Sequence, residues 1–355
     1  MPIDGKAVKG RGANTEVANR FLKHSYGILH WEAIDEVDEA VPPTVYRVET
    51  PKTIVNPVNS PDLGFRWSMN PYQGCEHGCA YCYARPTHEY WGYNAGLDFE
   101  RIIILKPNAP QLLEQKLRSR SWQAEPIMVS GATDPYQPVE SKEGITRQLL
   151  GVMLRFRNPV SVITKNALVL RDLDLLAELA SMRLAAVAIS ITTLDEELRR
   201  VMEPRTSSAV NRLRAVETLS KAGVPVHVMV APIIPALNDK DVPAILRSAA
   251  DAGALNAAYT VVRTNGAVKP VFEGWLRAHF PDRADKVLAQ ISDAHGGSVE
   301  DTRPGLRMNG EGHYAQSINR LFKVLKQRYF AGRVFPEHDS SLFRVPPQGQ
   351  LDLFA

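Results

Sequence analysis

From residue 65 onward the chain alternates between two hydrophobic periods, and that alternation limits its fold more than any other feature. Short apolar runs rich in β-branched residues occupy 65–70, 127–130, 160–164, 186–191, 226–231 and 257–262, and runs of this length predict strands. Longer segments of helical period, at 110–120, 146–157, 173–182, 210–222 and 242–252, fall between them. Gly223 and Gly253 stand just past two of these, where a left-handed residue ends a helix. Strands separated by helices pair in parallel through right-handed crossovers. Six such strands predict an α/β fold whose sheet partly closes into a (β/α)6 barrel. Chemistry in such sheets gathers at the C-terminal ends of the strands.

The flanks read differently. Residues 1–50 form an arm, partly disordered: Lys6, Lys9 and Arg11 sit among glycines, and an acidic, proline-bearing stretch covers 32–43. Within it, Tyr26-Gly27-Ile28-Leu29-His30-Trp31 is an apolar run suited to docking on the body. Residues 51–290 carry the core and 291–335 a C-terminal helical extension. An amphipathic helix at 314–329 places Ile318, Leu321, Phe322, Leu325 and Tyr329 on one face and Arg320, Lys323 and Lys326 opposite, a solvated face. Residues 336–355 turn to Pro, Ser and Gln and read as a flexible tail. A hydrophobic content of 44% and charged content of 23% are ordinary for a globular chain of 355 residues. No window approaches the roughly 20 apolar residues of a membrane span. The N-terminus lacks an apolar signal core, so a cytoplasmic location is expected. A net charge of +3 is too small to argue for a nucleic-acid partner by itself.

All three cysteines, Cys75, Cys79 and Cys82, fall in one loop, Cys-Glu-His-Gly-Cys-Ala-Tyr-Cys, just past the first strand. The C-x3-C-x2-C spacing offers three thiolates. A cubane iron–sulfur cluster held this way keeps one iron without a protein ligand, free to take a small molecule. A structural zinc site would need His77 or His88 as fourth ligand, and zinc ligands usually come as two separated pairs. The odd count and short spacing disfavour a disulfide. Inert buried cysteines would not gather in a Gly/His-rich loop.

Polar residues crowd the other strand ends. The second strand runs into Ser130-Gly131-Ala132-Thr133-Asp134-Pro135-Tyr136-Gln137-Pro138-Val139-Glu140, with more hydroxyls and carboxylates than a turn requires. The third ends at Thr164-Lys165-Asn166, where the lysine is a surface charge or an anion clamp. The fourth carries Ser190 among apolar neighbours. Met202-Glu203-Pro204-Arg205-Thr206 follows, with Thr206 or Ser207 as an N-cap and Arg212 on the next helix. Ala231-Pro232-Ile233-Ile234-Pro235 ends the fifth.

Asn70-Pro71-Tyr72-Gln73-Gly74-Cys75 through Cys82-Tyr83-Ala84-Arg85 resembles the cluster loop of radical S-adenosylmethionine (SAM) enzymes. More narrowly it resembles the branch related to spore photoproduct lyase, often labelled DNA-repair-photolyase-like. The resemblance covers about 53–263, and Gly305-Leu306-Arg307-Met308-Asn309-Gly310 resembles a bacterial subfamily of undefined activity. It implies a partial (β/α)6 radical SAM barrel, a 4Fe-4S cluster on the three cysteines and S-adenosyl-L-methionine on the open iron. It also implies an electron donor such as flavodoxin or ferredoxin, and a 5′-deoxyadenosyl radical that takes hydrogen from the substrate. Carried over position by position, Tyr81 would lie near adenine and Ser130 and Thr133 near the amino end of SAM. Lys165 would face the carboxylate, Ser190 would contact SAM, and Arg205 or Arg212 would complete the carboxylate site. Ile233 would meet adenine through its backbone, and Asp134 and Glu140 would serve SAM or substrate. Spore photoproduct lyase returns a hydrogen atom from a further cysteine on strand two. Here that strand reads Ile127-Met128-Val129-Ser130, so repair by that route is not expected, and Tyr72, Tyr83 and Tyr136 are the remaining relay candidates.

The tail Gln350-Leu351-Asp352-Leu353-Phe354 matches the pentapeptide by which bacterial DNA polymerases and repair factors bind the sliding clamp; the alternative is an apolar tail docked on its own body. Three functions are therefore in play: a radical SAM enzyme acting on DNA in repair, one modifying RNA, peptide or metabolite, and a non-enzymatic iron–sulfur redox sensor. A sensor has no need of the strand-tip residues Ser130, Thr133, Lys165 and Ser190.

Overall fold

The computed structural model describes residues 8, 10–21 and 43–347, so the 26–31 run and the 350–354 pentapeptide lie outside the described residues. In chain order the first half comprises Val45–Val48 (β1), Val55–Pro57 (β2), Trp67–Met69 (β3), Tyr72–Gln73 (β4), Leu97–Arg101 (α1), Ile102–Leu105 (β5), Ala109–Arg118 (α2), Ile127–Val129 (β6), Glu140–Glu143 (α3) and Ile145–Phe156 (α4). Then come Val160–Thr164 (β7), Leu173–Ser181 (α5), Ala185–Ser190 (β8), Glu196–Met202 (α6), Ala209–Lys221 (α7), Val226–Ile233 (β9), Val242–Asp251 (α8) and Asn256–Val261 (β10). Val268–His279 (α9), Ala284–Ala294 (α10) and Gly312–Phe330 (α11) complete the set.

All six expected strands form, in the order β3-β6-β7-β8-β9-β10, and every neighbouring pair is parallel. The five expected helices form too. α7 and α8 end in the same motif: Val224 N–H reaches Leu219 O and Ala254 N–H reaches Ala249 O, around left-handed Gly223 and Gly253. The strands alternate as a sheet covered on one side should. On β7, Val160, Val162 and Thr164 are buried while Ser161 and Ile163 are half-exposed. Met128, Ala188, His227, Met229, Ala258 and Thr260 continue that half-exposed concave face. Helix side chains such as Leu149, Leu150, Met153 and Phe156 fill the opposite face.

β2 adds antiparallel to β3, leaving β2 and β10 as the two sheet edges. Residues 305–308 span the gap between them. Val261 N–H donates to Met308 O at 2.9 Å and Arg263 Nη1 to Arg307 O at 2.9 Å. From the same segment, Arg307 Nη2 donates to Ser60 Oγ at 2.7 Å and Arg307 Nε to Asp62 Oδ2 at 2.5 Å, both in the β2–β3 turn.

Three features differ from the sequence-based expectation. β1, β5 and β4 form a second sheet in the order β1-β5-β4, which leads straight into the cysteine loop. Residues 10–21 are not a loose arm: Arg11, Ala13, Asn14 and Asn19 are buried against the body. The segment after Phe335 is held as far as Pro346, crossing beneath the strand N-terminal ends. Phe335 meets His227 edge-on, His338 Nε2 lies 2.9 Å from Ser161 Oγ, Asp339 N–H donates to Arg183 O, Phe343 packs on Phe156, and Pro346 O accepts from Arg118. Among the described residues no helix is long and apolar enough to cross a membrane.

Packing of α4 on the sheet generates a direct test. Leu149 is fully buried, so Leu149→Ala should lower the unfolding free energy by about 2–5 kcal/mol in urea titration. Val324, on the exposed side of α11, should change it by less than about 0.5 kcal/mol when replaced by alanine.

Candidate functional site

β4 delivers the chain into the cysteine loop, and backbone hydrogen bonds set the loop's shape. Cys75 N–H donates to Phe99 O at 2.8 Å, Gly78 N–H to Cys75 O, Ala80 N–H to Met202 O and Cys82 N–H to Cys79 O. The loop closes on Arg85, which is fully buried. Its Nε and Nη2 donate to Cys79 O at 3.2 and 2.8 Å, its Nη1 to Ala95 O and Gly96 O, and Nη2 pairs with Glu100. Arg85 thus spends its donors on the Cys79, Ala95 and Gly96 carbonyls and on one carboxylate.

Cys75 and Cys79 are buried, Cys82 is half-buried, and none is in a disulfide. Burial pushes the Cys79 and Cys82 thiols up; the Glu203 carboxylate adds to this at Cys79, and the neighbouring Cys75 adds to it at both. A cationic iron centre reverses that penalty by binding the thiolates, so this donor set fits a cluster. A zinc site would need His77, which also lies beside Cys75, or His88, whose two ring nitrogens have no side-chain partner among the described residues, to turn onto the thiols. His77 Nδ1 faces Asp134 at 3.3 Å with Nε2 against Asn166, and His88 is stacked on Tyr93 with Phe99 edge-on. Among the described residues no three His, Cys, Asp or Glu side chains converge on a single-ion site.

The strand-two end is tied to this loop. Thr133 Oγ1 donates to Gly74 O at 2.6 Å, Ser130 Oγ donates to Thr133 O, and Gln137 receives Glu76 N–H while donating to Gly74 O and Thr133 Oγ1. Ser130 and Gly131 hold φ of 140° and 134°, a region costly for a serine. Asp134 accepts from Tyr136 N–H, Thr164 Oγ1 and Lys165 N–H besides facing His77. Glu140 is buried on α3, bonded by the Tyr72 hydroxyl and Arg171. Neither carboxylate is open to a ligand.

Lys165, Tyr81, Glu203 and Arg212 meet at the tips of the third and fourth parallel strands. Lys165 Nζ lies 5.8 Å from the Tyr81 ring and forms no ion pair among the described residues. The Tyr81 hydroxyl donates to Glu203 Oε1, and Arg212 Nη2 pairs with Glu203 Oε2 at 2.5 Å. Burial opposes ionisation of Glu203, but Arg212, Lys165 and the Tyr81 hydroxyl hold its carboxyl down at about 2. Arg212 also donates to Ser190 O, Ser207 O and Thr206 Oγ1. Ser190 and Ile233 are buried at the tips of β8 and β9. Arg205 is not in this group: its side chain reaches Thr44 Oγ1 and the buried Glu76 beside Cys75. Of the sequence-predicted residues the structure groups Lys165, Tyr81 and Arg212 around Glu203, with the Ser190 carbonyl on Arg212; Ser130 and Thr133 bond instead to the strand-two turn and Gly74, and Ile233 is buried at its own strand tip. Sequence reasoning did not assign Glu203, Gln137, Arg85 or Glu100; the adjacent Cys82-Tyr83-Ala84-Arg85 run was the signal for Arg85.

The family described as the Radical SAM superfamily matches residues 69–249. An uncharacterised protein of Mycobacterium tuberculosis is 38% identical over 232 residues, covering 64% of this chain and 68% of its own length. One from Methanocaldococcus jannaschii is 31% identical over 189 residues, covering 53% and 67%. Among solved structures, spore photoproduct lyase complexed with dinucleoside spore photoproduct aligns with a TM-score of 0.58 at 16% identity, over 81% of this chain and 80% of that one. At that identity the likeness is one of fold.

Removing the Glu203 carboxylate would leave the Arg212 charge buried and unpaired. Glu203→Ala should cost about 3–5 kcal/mol in urea unfolding of the cluster-free protein. Arg205→Ala breaks the bond to Thr44 and a 3.7 Å contact with Glu76, and leaves Glu76 accepting from the Tyr46 hydroxyl and Val139 N–H, so it should cost less than about 1 kcal/mol in the same assay.

Proposed function

The chain belongs to the radical SAM superfamily and is an enzyme of that type; from that premise we propose that it holds a 4Fe-4S cluster on Cys75, Cys79 and Cys82 and acts on nucleic acid, in DNA repair. The observation that carries the cluster assignment is three thiols on one loop at the C-terminal end of the parallel strands, none in a disulfide, near Lys165, which forms no ion pair among the described residues. When bound, the cluster and SAM supply one-electron cleavage of the sulfonium and hydrogen abstraction from a substrate.

The chain's own residues provide binding and orientation. Lys165 offers its ammonium to the SAM carboxylate, and Glu203 with Arg212 fixes Tyr81 beside it. Ser190 and Ile233 line the strand tips where the nucleoside would rest. Thr133 and Gln137 keep the loop aligned with the second strand, so their role is to position the loop. Of the three tyrosines considered as hydrogen relays, Tyr72 and Tyr136 are buried with their hydroxyls on Glu140 and Asp172. Tyr83 is 63% exposed beside Cys82 and is the one able to meet a substrate.

A nucleic-acid substrate is supported by the shared fold with spore photoproduct lyase, whose solved complex contains a dinucleoside photoproduct. The absence of any cysteine beyond the loop separates this chain from that enzyme's hydrogen-return route. Flavodoxin or ferredoxin would supply the electron. In anaerobically reconstituted protein, dithionite should drive cleavage of SAM to 5′-deoxyadenosine, and Cys79→Ala should lose both the brown chromophore and the cleavage. Deuterium carried from labelled, damaged DNA into 5′-deoxyadenosine would identify the substrate class; label arriving only from RNA or peptide would reject DNA.

The tail supplies an independent line. Gln350-Leu351-Asp352-Leu353-Phe354 would recruit the protein to the sliding clamp, with Leu353 and Phe354 filling an apolar pocket. A peptide spanning residues 348–355 should bind purified clamp, and the double change Leu353→Ala, Phe354→Ala should abolish binding. Equal binding by both peptides would remove the recruitment argument.

A further inference from the structure

Residues 10–21 lie across the outer side of the cysteine loop and are locked there by side chains far away in sequence. Gly12 N–H and Ala13 N–H donate to the two oxygens of Glu100 at 3.0 and 2.7 Å, and Arg11 Nη1 donates to Glu100 O at 2.7 Å. Glu100 is fully buried, and its other partner is Arg85, which holds the Cys79 carbonyl. One carboxylate therefore joins the N-terminal segment to the peptide unit of a cysteine. The approach is too close for side chains. A Cβ on Gly12 would overlap the Gly78 carbonyl, and one on Gly78 would lie 2.7 Å from Glu100 Oε2. Further along, Asn14 Nδ2 donates to Gly274 O on α9, while Ala13, Leu97 and Val271 form a small apolar cluster with Val17 beside it. Asn19 closes the segment by donating to Glu89 O and Tyr93 O at 3.0 and 2.9 Å.

We propose that residues 10–21 are a strap that fixes the cysteine loop for its cluster, with Gly12 and Glu100 as positioning residues. The inference rests on Cys75, Cys79 and Cys82 being the cluster ligands. Hydrogen bonding and solvent exposure around such a cluster govern its properties, and the strap controls both on one side. It covers the 78–80 backbone and, through Glu100 and Arg85, sets the direction of the Cys79 peptide.

Two variants test this. Gly12→Val cannot keep the strap seated against Gly78, and Asn19→Ala frees its far end without touching the loop. Hydrogen exchange of the cluster-free protein should show amides of Gly78, Ala80 and Cys82 exchanging about 10-fold faster or more in Gly12→Val. Protection along β8 and β9 should remain as in the unaltered protein, showing that the barrel stands. After anaerobic reconstitution, the variant's chromophore should bleach several-fold faster in air. Asn19→Ala should move both readouts the same way by less, and it serves alone if Gly12→Val does not fold. Faster exchange confined to Gly12 and Ala13, with loop protection and bleaching unchanged, overturns the proposal. If the unaltered protein takes up no iron, the ligand assignment falls, and the cluster-free exchange data judge the strap separately.

Discussion

A single buried ion pair, Arg85 with Glu100, organises the end of the molecule where chemistry is expected. Taking both charges out of water costs several kcal/mol per ion unless every donor and acceptor is met. Here they are met: Arg85 reaches the carbonyls of Cys79, Ala95 and Gly96, and Glu100 receives the Gly12 and Ala13 amides. A pair of this kind is weak support for stability by itself. Its effect is geometric, because it leaves the loop between Cys79 and Arg85 one way to lie. Glu203 and Arg212 repeat the device on the inner side, fixing Tyr81 through its hydroxyl. The cysteine loop is thus clamped from two directions by buried carboxylate–guanidinium pairs.

The barrel was legible in the sequence because its signals are local. Val160 to Thr164 alternates within five residues, and Gly223 and Gly253 mark helix ends within one turn. The strand tips were legible for the same reason, since Ser130, Thr133 and Lys165 directly follow apolar runs. What was not legible is pairing over distance. Gly12 looks like linker glycine until Glu100, 88 residues later, supplies the acceptor its amide needs. β1 and β5 are four-residue strands that become a sheet only by meeting each other. Arg205 and Arg212 are equally placed as clamps in the sequence, and only the fold turns one to Glu76 and the other to Glu203.

Roles were less legible than positions. Ser130 and Thr133 stand at the expected strand end, yet the Thr133 hydroxyl holds Gly74 O beside the cysteine loop and the Ser130 hydroxyl braces its own turn at Thr133 O. That use is consistent with the strained φ at Ser130, because a backbone kept in a costly region needs several bonds to hold it. Asp134 and Glu140 likewise looked like ligands from composition, and both turn out to be cross-braces.

The crossing of residues 335–346 under the strand N-terminal ends also determines which way the molecule faces. Pro346 is pinned to Arg118 at the closing turn of α2, on the pole opposite the cysteines. A handhold at Pro346 would therefore sit on the heel of the molecule, with the reactive end on the far side from it.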